Sequence, residues 1–241
     1  MEKIYKRAII KLSGEALGDQ INHKIFDSKK LNLIIDQIEI LVNKGKEIGI
    51  VCGAGNIFRG RIAEENGFSY EDGDYMGMVG TIINCKAISA CLNKRNIKNI
   101  ILSALNTEKL TLKYSKEEAN KFLNKGYVVL FAGGIGLPTY TTDTCSASRA
   151  IDINADLILA AKNGTDGVYD KDPNKFSDAK FLKNLTYKEV LERNIKVMDE
   201  SAIKLLEDSD ITLRVFSMDD YSNFNKIFNG DENIGTTVTK E

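Results

Sequence analysis

The stretch that decides the fold is residues 127–143, which read Y-V-V-L-F-A-G-G-I-G-L-P-T-Y-T-T-D. Its first part is apolar and contains two adjacent valines, a pattern typical of a buried strand in a parallel sheet. Glycines and a proline then interrupt the chain before Thr141, Thr142 and Asp143. We predict that Asp143 is the N-cap of a helix over residues 146–153. A buried strand that opens through small residues into a helix is a common anion-binding junction, although an ordinary Gly-rich loop has the same composition.

The rest of the chain repeats a strand-then-helix order. Helical periodicity predicts a helix capped by Ser28 and a long helix over 75–92 that follows a Gly-rich acidic loop. The order predicts an α/β fold, an open and mainly parallel sheet sandwiched by helices, in one domain with lobes at roughly 1–154 and 155–241. The other predicted strands cover residues 4–12, 48–52, 100–105, 156–161, 211–216 and 236–239.

Bulk composition excludes several classes of partner. The 241 residues carry a formal net charge of −1, which gives no broad attraction to nucleic acid or anionic membrane. The four cysteines form no C-x-x-C pair and argue against a zinc site or a disulfide framework. The charged N-terminus is unlike a secretory signal, and the longest uncharged run is short for a membrane span and broken by glycines. We predict a soluble, cytoplasmic protein.

Three strand ends have phosphate-binding character. The first predicted strand ends in Lys11-Leu12-Ser13-Gly14, and the second is followed by G-A-G-N (53–56) and then Arg59. Residues without bulk let backbone N–H groups approach an oxyanion, and an arginine binds it with two parallel hydrogen bonds. The third is the 133–142 loop. No P-loop motif occurs, and Phe58 replaces the third glycine of a dinucleotide fingerprint.

Further polar residues have two interpretations each. Asp74 is either a ligand-binding residue or the N-cap of the long helix. Lys196 and Asp199 flank an apolar pair, and Asp199 is either part of a site or the cap of the next helix. Three others either contact a nucleoside or are turn residues, namely Asn163, Tyr169 and Asp172.

The sequence contains no recognisable proton-abstracting group. His23 is the only histidine, and no cysteine has an evident basic partner. A phosphate acceptor would not need one, because its second pKa is about 6 and its oxygen is already anionic at neutral pH. The reaction needs cations and backbone donors that hold two anions in line, and Lys11, Arg59, the glycine loops and Mg²⁺ would suffice.

The chain resembles the bacterial UMP kinases of the amino acid kinase fold over essentially its whole length. Several ordered motifs carry the resemblance, whereas each alone would be weak. They are Y-K-R-A-I-I-K-L-S-G-E-A-L (5–17), G-A-G-N-I-F-R-G (53–60), G-D-Y-M-G-M (73–78), T-T-D (141–143), D-G-V-Y-D-K-D-P (166–173), L-T-Y-K-E-V-L (185–191), K-V-M-D (196–199) and R-V-F-S-M (214–218).

The resemblance implies transfer of the γ-phosphoryl group of ATP to UMP, with Mg²⁺ held mainly by the ATP phosphates rather than by a dedicated metal site. It implies that the N-terminal lobe holds the acceptor, that the C-terminal lobe holds ATP, and that the chain forms a homo-hexamer. The implied catalytic residues are Lys11, Arg59, Asp143 and Lys196, with Lys162 as the alternative second lysine. The implied ATP-binding residues are Lys11, Leu12, Ser13, Gly14, Gly55, Arg59, Asn163, Tyr169 and Asp172. The implied UMP-binding residues are Gly53, Ala54, Asp74, Ile135, Gly136, Leu137, Pro138, Thr139, Tyr140, Thr141 and Thr142.

Three departures from the family pattern qualify these expectations. Ala54 replaces a usual glycine, and its methyl group would crowd the acceptor phosphate if a positive φ were required. Leu137 and Thr139 replace a usual Asn and a usual aromatic residue, which affects recognition of the nucleoside. Ser89 and Asn93 stand where basic residues bind GTP as an activator, so we predict weak or absent activation by GTP. UTP is a possible feedback inhibitor.

Two rival functions remain open from the sequence. One is a kinase of the same fold that acts on a carboxylate, a carbamate or isopentenyl phosphate; Asp74 and the T-T-D loop favour UMP instead. The other is a non-catalytic nucleotide-binding assembly, against which the presence of Lys11, Arg59 and Asp143 argues.

Overall fold

A computed structural model describes residues 5–19, 21–162 and 164–241. Its main sheet has nine strands in the order β4-β3-β5-β2-β1-β6-β10-β11-β9, and β7 pairs with β8 in a separate hairpin. All neighbours are parallel except β10 and β11, which confirms the mainly parallel sheet. The strands are β1 (Arg7–Leu12), β2 (Glu47–Cys52), β3 (Asn99–Ser103), β4 (Leu112–Lys113), β5 (Val128–Ala132), β6 (Leu157–Lys162), β7 (Val168–Tyr169), β8 (Phe181–Leu182), β9 (Asn184–Thr186), β10 (Thr212–Ser217) and β11 (Thr236–Thr239).

Helices cover both faces of this sheet. One face packs against α1, α3 and α8, and the other against α4, α5, α6 and α7, so that two apolar cores form. A short 3-10 helix (Gly14–Leu17) follows β1. The α-helices are α1 (Ser28–Asn43), α2 (Gly60–Glu65), α3 (Tyr70–Lys94), α4 (Lys116–Asn124), α5 (Thr142–Asp152), α6 (Tyr187–Glu192), α7 (Glu200–Leu206) and α8 (Asn223–Phe228).

The pleat of β1 decides where Lys11 lies. Ile10 and Leu12 belong to the core beneath α1 and α3, whereas Ile9 belongs to the core beneath α5. Because side chains alternate along a strand, Lys11 lies on the same face as Ile9. The lysine therefore faces α5 at the carboxyl end of the strand.

The strand ends that were predicted to bind phosphate meet at one edge of the sheet. Strands β5, β2, β1 and β6 are parallel neighbours in that order. The connection after β1 leads to β2 on one side, whereas β6 is followed by its neighbour β10 on the other. Ligands of open α/β sheets bind outside the carboxyl ends of the strands at such a switch point. The expected convergence of these strand ends is confirmed.

The predicted start of the long helix was wrong. α3 begins at Tyr70, and the Ser69 side chain caps it by accepting from the backbone N–H of Asp72. Asp74 therefore lies inside the helix and is not its N-cap. A Cβ on Gly73 would lie 2.8 Å from the Ala63 Cβ, so this glycine permits α2 to pack closely on α3 and does not mark a loop.

Two other predicted caps were also wrong. Thr141 caps α5, because its Oγ1 accepts from the backbone N–H groups of Asp143 and Thr144. Asp27 caps α1 by accepting from the backbone N–H groups of Lys29 and Lys30. The capping residue lies two residues before the predicted one in α5 and one residue before it in α1. Because Thr141 caps α5, the Asp143 carboxylate is available for another partner.

By length and composition, α3 is the one helix in the described ranges that is apolar enough to cross a membrane. Its buried face packs into the core through Ile82, Cys85, Ile88 and Leu92. Here α3 serves as a core helix of the domain.

Candidate active site

A lysine–aspartate pair lies at the centre of the strand ends. Lys11 Nζ is 2.7 Å from Asp143 Oδ1, and both side chains are largely buried. The other carboxylate oxygen, Asp143 Oδ2, accepts from the backbone N–H of Asp199 at 3.2 Å. Both oxygens of Asp143 are therefore engaged, which fixes the carboxylate and the lysine it holds.

A second lysine belongs to the same charge cluster. Lys162 ends β6, next to β1 in the sheet. Burial lowers the pKa of Lys162, repulsion from Lys11 lowers it further, and attraction to Asp143 opposes both. The Asp143 carboxylate thus attracts two ammonium groups that repel each other, and both lysines are held at this end of the sheet.

Two cavities flank the start of α5. The first cavity, of about 240 Å³, lies between β2, β5 and α3 and reaches Thr142. The second cavity, of about 560 Å³, is lined by Asp143, Lys162 and residues 194–200 among others. Since Thr142 lines the first cavity and the adjacent Asp143 lines the second, the Lys11–Asp143 pair lies between the two cavities.

Most of the residues that were predicted to bind UMP surround the first cavity. The lining residues among them are Ala54, Asp74, Leu137, Tyr140, Thr141 and Thr142. The other predicted acceptor residues belong to the same two loops: Gly53, Ile135, Gly136, Pro138 and Thr139. The backbone N–H of Thr139 donates to Asp74 Oδ2 at 2.6 Å, and Thr139 has a φ of 73°, unusual for a β-branched residue. Asp74 therefore links α3 to the 133–142 loop.

The loop after β2 is held by a buried amide. Asn84 of α3 is fully buried, and its Nδ2 donates to the Gly53 carbonyl at 2.7 Å. Its amide also pairs with Asn56. A Cβ on Gly14 would lie 2.5 Å from the Gly55 backbone nitrogen, so the predicted turns after β1 and β2 touch through their glycines. The position of Asn84 inside a helix gave no sequence signal of this role.

Ala54 does not have the positive φ that would have made its methyl group a problem. The methyl group instead faces α3, because a Cβ added to Gly80 would lie 2.8 Å from the Ala54 Cβ. The helix therefore provides space for the methyl group.

Arg59 lies beside the same loop. Its Nε donates to the Gly55 carbonyl at 3.1 Å, and one terminal nitrogen pairs with Glu15 Oε1 at 2.5 Å. Glu15 follows Lys11 in the first motif and was not predicted as a site residue. The Glu15–Arg59 pair links the ends of β1 and β2.

The predicted nucleoside-contacting residues have a different placement. The Tyr169 hydroxyl donates to Asp166, and its ring packs edge-on against Phe181 with centroids 5.4 Å apart. Asp172 accepts from the backbone N–H of Asn174 as a turn residue does. Neither lines the two cavities. Asn163 lies outside the described residues. Lys196 lines the second cavity and is exposed.

Asp199 joins the starts of α5 and α7. It caps α7 by accepting from the backbone N–H of Ala202 at 2.7 Å, which confirms the capping interpretation. It also accepts from the hydroxyl groups of Thr141 and Thr144 on α5. Burial alone would raise the pKa of Asp199, but these hydrogen bonds lower it below its usual value. Asp199 therefore stays ionised. The hydrogen bonds to its side chain hold the residue in place, so that its backbone N–H donates to Asp143.

The first cavity contains no activated thiol. Burial raises the pKa of Cys52 to about 12 and that of Cys145 to about 11, so both stay protonated at neutral pH. Thiolates are the nucleophilic form, and covalent catalysis by these residues is excluded.

An open sheet whose strand ends carry a fixed lysine–aspartate pair between two cavities is the arrangement expected of an enzyme that positions two anionic substrates for phosphoryl transfer. The sequence profile of the amino acid kinase family matches residues 6–217, and the chain belongs to that family. It is 40% identical over 237 residues to a uridylate kinase of Rubrobacter xylanophilus, covering 98% of this chain and 92% of that protein.

Solved structures agree with this assignment. The UMP kinase from Bacillus anthracis superposes with a TM-score of 0.95 at 39% identity, covering 99% of this chain and 98% of that one. The UMP kinase from Ureaplasma parvum superposes with a TM-score of 0.92 at 37% identity, covering 99% and 100%. The predicted amino acid kinase fold is confirmed.

Proposed function

We propose that this chain transfers the γ-phosphoryl group of ATP to UMP, giving UDP for pyrimidine nucleotide synthesis. The observation that carries the proposal is the Lys11–Asp143 pair between the two cavities. The first cavity takes UMP between Asp74 and the 133–142 loop. The second cavity and the adjoining loops take ATP, with its γ-phosphate directed at Lys11. The names of the relatives support UMP over a carboxylate or carbamate acceptor.

The chemistry follows from the charges of the substrates. The UMP phosphate is already anionic at neutral pH, so its oxygen attacks the γ-phosphorus without transfer of a proton to the protein. Lys11 and Lys162 hold the transferring group, and Asp143 keeps both ammonium groups in place. Arg59 and the glycine-rich turns offer donors to the remaining oxygens. Catalysis is by positioning and by compensation of the charge that develops in the transition state.

Mg²⁺ fits this site as a companion of ATP. Bound together with ATP, it would supply charge neutralisation to the phosphates. Both oxygens of Asp143 are engaged by Lys11 and by the Asp199 backbone, so this carboxylate orients lysine. Within the described residues no group of three or more His, Cys, Asp or Glu side chains that could hold a metal ion occurs.

A coupled assay of ADP release with UMP, CMP and dUMP in parallel tests the function. We expect ATP- and Mg²⁺-dependent turnover with UMP as the preferred acceptor. An acceptor screen with radiolabelled ATP completes the test, and preferential labelling of a carboxylate would reject the assignment.

We also propose a homo-hexamer and a limited response to GTP. The exposed face of α3 carries Tyr75, Met76, Val79 and Ile83, which supports self-association. Ser89 donates to Asn99, which in turn donates to Asn93, so an uncharged network occupies the place where activator-binding cations were expected. Several-fold activation in a GTP titration at fixed ATP and UMP would contradict this. UTP is proposed as a feedback inhibitor that competes with UMP.

A further inference from the structure

A buried guanidinium lies behind the acceptor loop, defined here as residues 133–142. Arg149 of α5 is only 5% exposed, and its Nη2 donates to the Gly134 carbonyl at 3.1 Å. Gly134 itself lines the first cavity. Arg149 therefore contacts the back of the loop whose front faces the proposed UMP site.

The guanidinium is held from two further directions. Its central carbon lies 3.5 Å from the centroid of the Tyr114 ring, and its Nη1 donates to Asp152 Oδ2 at 3.3 Å. The Tyr114 hydroxyl donates to the same oxygen at 2.5 Å. Burial and this hydrogen bond raise the pKa of Tyr114, so its hydroxyl remains a donor. The three side chains form one unit, and the guanidinium also donates to the Gly134 carbonyl and interacts with the Cys145 thiol.

Stability alone does not explain this arginine. The Nε of Arg149 is buried without a hydrogen-bond partner in the described part of the chain. Burying a charged group with an unsatisfied donor is costly, and an apolar side chain of similar size is often at least as stabilising. The arrangement is better explained by what the guanidinium does to the loop.

The loop is fixed on both sides at consecutive residues. The Gly133 N–H donates to Thr81 Oγ1 of α3 at 2.8 Å, while the Gly134 carbonyl accepts from Arg149 of α5. In a trans peptide the N–H points opposite to the carbonyl, so Arg149 also fixes the direction of the Ile135 N–H. No group in the described ranges accepts from that N–H.

We propose that Arg149 is a positioning residue for the acceptor: by holding the Gly134 carbonyl it keeps the acceptor loop in its binding conformation and directs the Ile135 N–H away from α5, toward bound nucleotide. The inference rests on the proposed function, because it assigns that loop to UMP. Arg149 does not touch UMP. It acts through the backbone of Gly134, and among the described residues no hydrogen bond joins it to the proposed ATP-binding turns after β1 and β2.

Arg149→Met and Arg149→Lys test this by separating the two substrates. For Arg149→Met we expect KM and Kd for UMP to rise about tenfold or more, the loss typical of a charge-assisted hydrogen bond, while KM for ATP changes by less than about twofold. Arg149→Lys keeps the charge but not the planar fork, and recovers part of the UMP affinity. Tyr114→Phe removes only the hydroxyl. We expect a smaller rise in KM for UMP and again little change in KM for ATP.

Arg95→Met is the matched control. Arg95 pairs with Asp36 and Glu39 of α1, so its loss removes an arginine with two carboxylate partners elsewhere in the fold. We expect both KM values to stay at the wild-type level. Two results in Arg149→Met and Tyr114→Phe would overturn the role of Arg149. One is an equal rise in KM for UMP and KM for ATP, and the other is a UMP affinity that calorimetry finds unchanged. Failure of the wild-type chain to bind and phosphorylate UMP would overturn the proposed function as well.

Discussion

At the scale of single residues, one carboxylate organises the site. Asp143 pairs with Lys11 at 2.7 Å and attracts Lys162, which ends the neighbouring strand. The two lysines repel each other, and phosphate oxygens bound between them would relieve that repulsion. Charge that is unfavourable in the free protein thus becomes favourable in the complex.

Replacing Lys11 by Met should abolish most of the turnover. Loss of one positioned donor to a developing oxyanion typically costs about 10²- to 10³-fold in kcat. Lys162→Met and Lys196→Met, assayed beside it, identify the second lysine. We expect the larger loss for Lys162, because it belongs to the Asp143 cluster whereas Lys196 is exposed. Unchanged turnover in Lys11→Met would remove this residue from the mechanism, and circular dichroism checks that each variant is folded.

Lys162→Met should at the same time stabilise the protein without ligand. Because its folded-state pKa lies below the ordinary 10.5, the ammonium is less favourable in the folded chain than in the unfolded one. That penalty is complete below the lowered pKa and disappears as the pH rises through it toward 10.5. Thermal unfolding should therefore show a higher Tm for the variant at pH 7 and a smaller difference near pH 10. A lower Tm at pH 7 would contradict this account.

The sequence predicts residues that carry charge at strand ends better than residues that support them. Lys11, Arg59 and Asp143 follow motifs whose composition indicates anion binding. Asn84 and Arg149 were missed, because each lies within a helix and contacts a carbonyl far away in the chain. Periodicity places such side chains on a buried face but does not identify their partners.

At the scale of elements, the glycines of α3 show where local propensity misleads. Gly73 beside two acidic residues predicted a loop, yet it lies inside a helix of 25 residues. Close packing on Ala63 requires a residue without a side chain there, so tertiary contact overrides helix propensity. The strands were easier to predict, since buried parallel strands read as continuous apolar runs.

The contact between α3 and the loop after β2 can be tested by exchanging one methyl group. Gly80→Ala would place a Cβ 2.8 Å from that of Ala54, which real structures do not tolerate. We expect a loss of about 1–3 kcal/mol of stability, as for other overpacked sites, together with a higher KM for UMP. The double variant with Ala54→Gly removes the clash and should recover most of both losses.

Ala54→Gly alone is the control for this pair. Ala54 does not need a positive φ, so the single variant should retain activity. A double variant no better than Gly80→Ala would show that the two residues do not interact, and a double-mutant cycle on Tm and KM gives the coupling directly.

At the scale of the whole molecule, strand order explains why distant motifs form one site. Motifs near residues 11, 53, 133 and 162 become neighbours because β5, β2, β1 and β6 are adjacent and parallel. The repeated strand-helix order predicted this class of sheet, and strand ends of parallel neighbours meet at one edge. The order itself was not predicted, because it depends on which crossover each helix makes.

The last prediction concerns assembly through α3. Val79 and Ile83 lie four residues apart, on one exposed face of this helix, and are 49% and 46% exposed. If two copies meet there around a twofold axis, Ile83→Glu brings a buried charge into the interface from each copy. Sedimentation velocity should then show a hexamer for the wild type and smaller species for the variant. Leu205→Glu, at an equally exposed position on α7, should leave the hexamer intact. Because α3 also carries Asp74 and Asn84, a variant that dissociates into smaller species should also bind UMP more weakly. If only Leu205→Glu dissociates the assembly, the interface lies on the opposite face of the sheet.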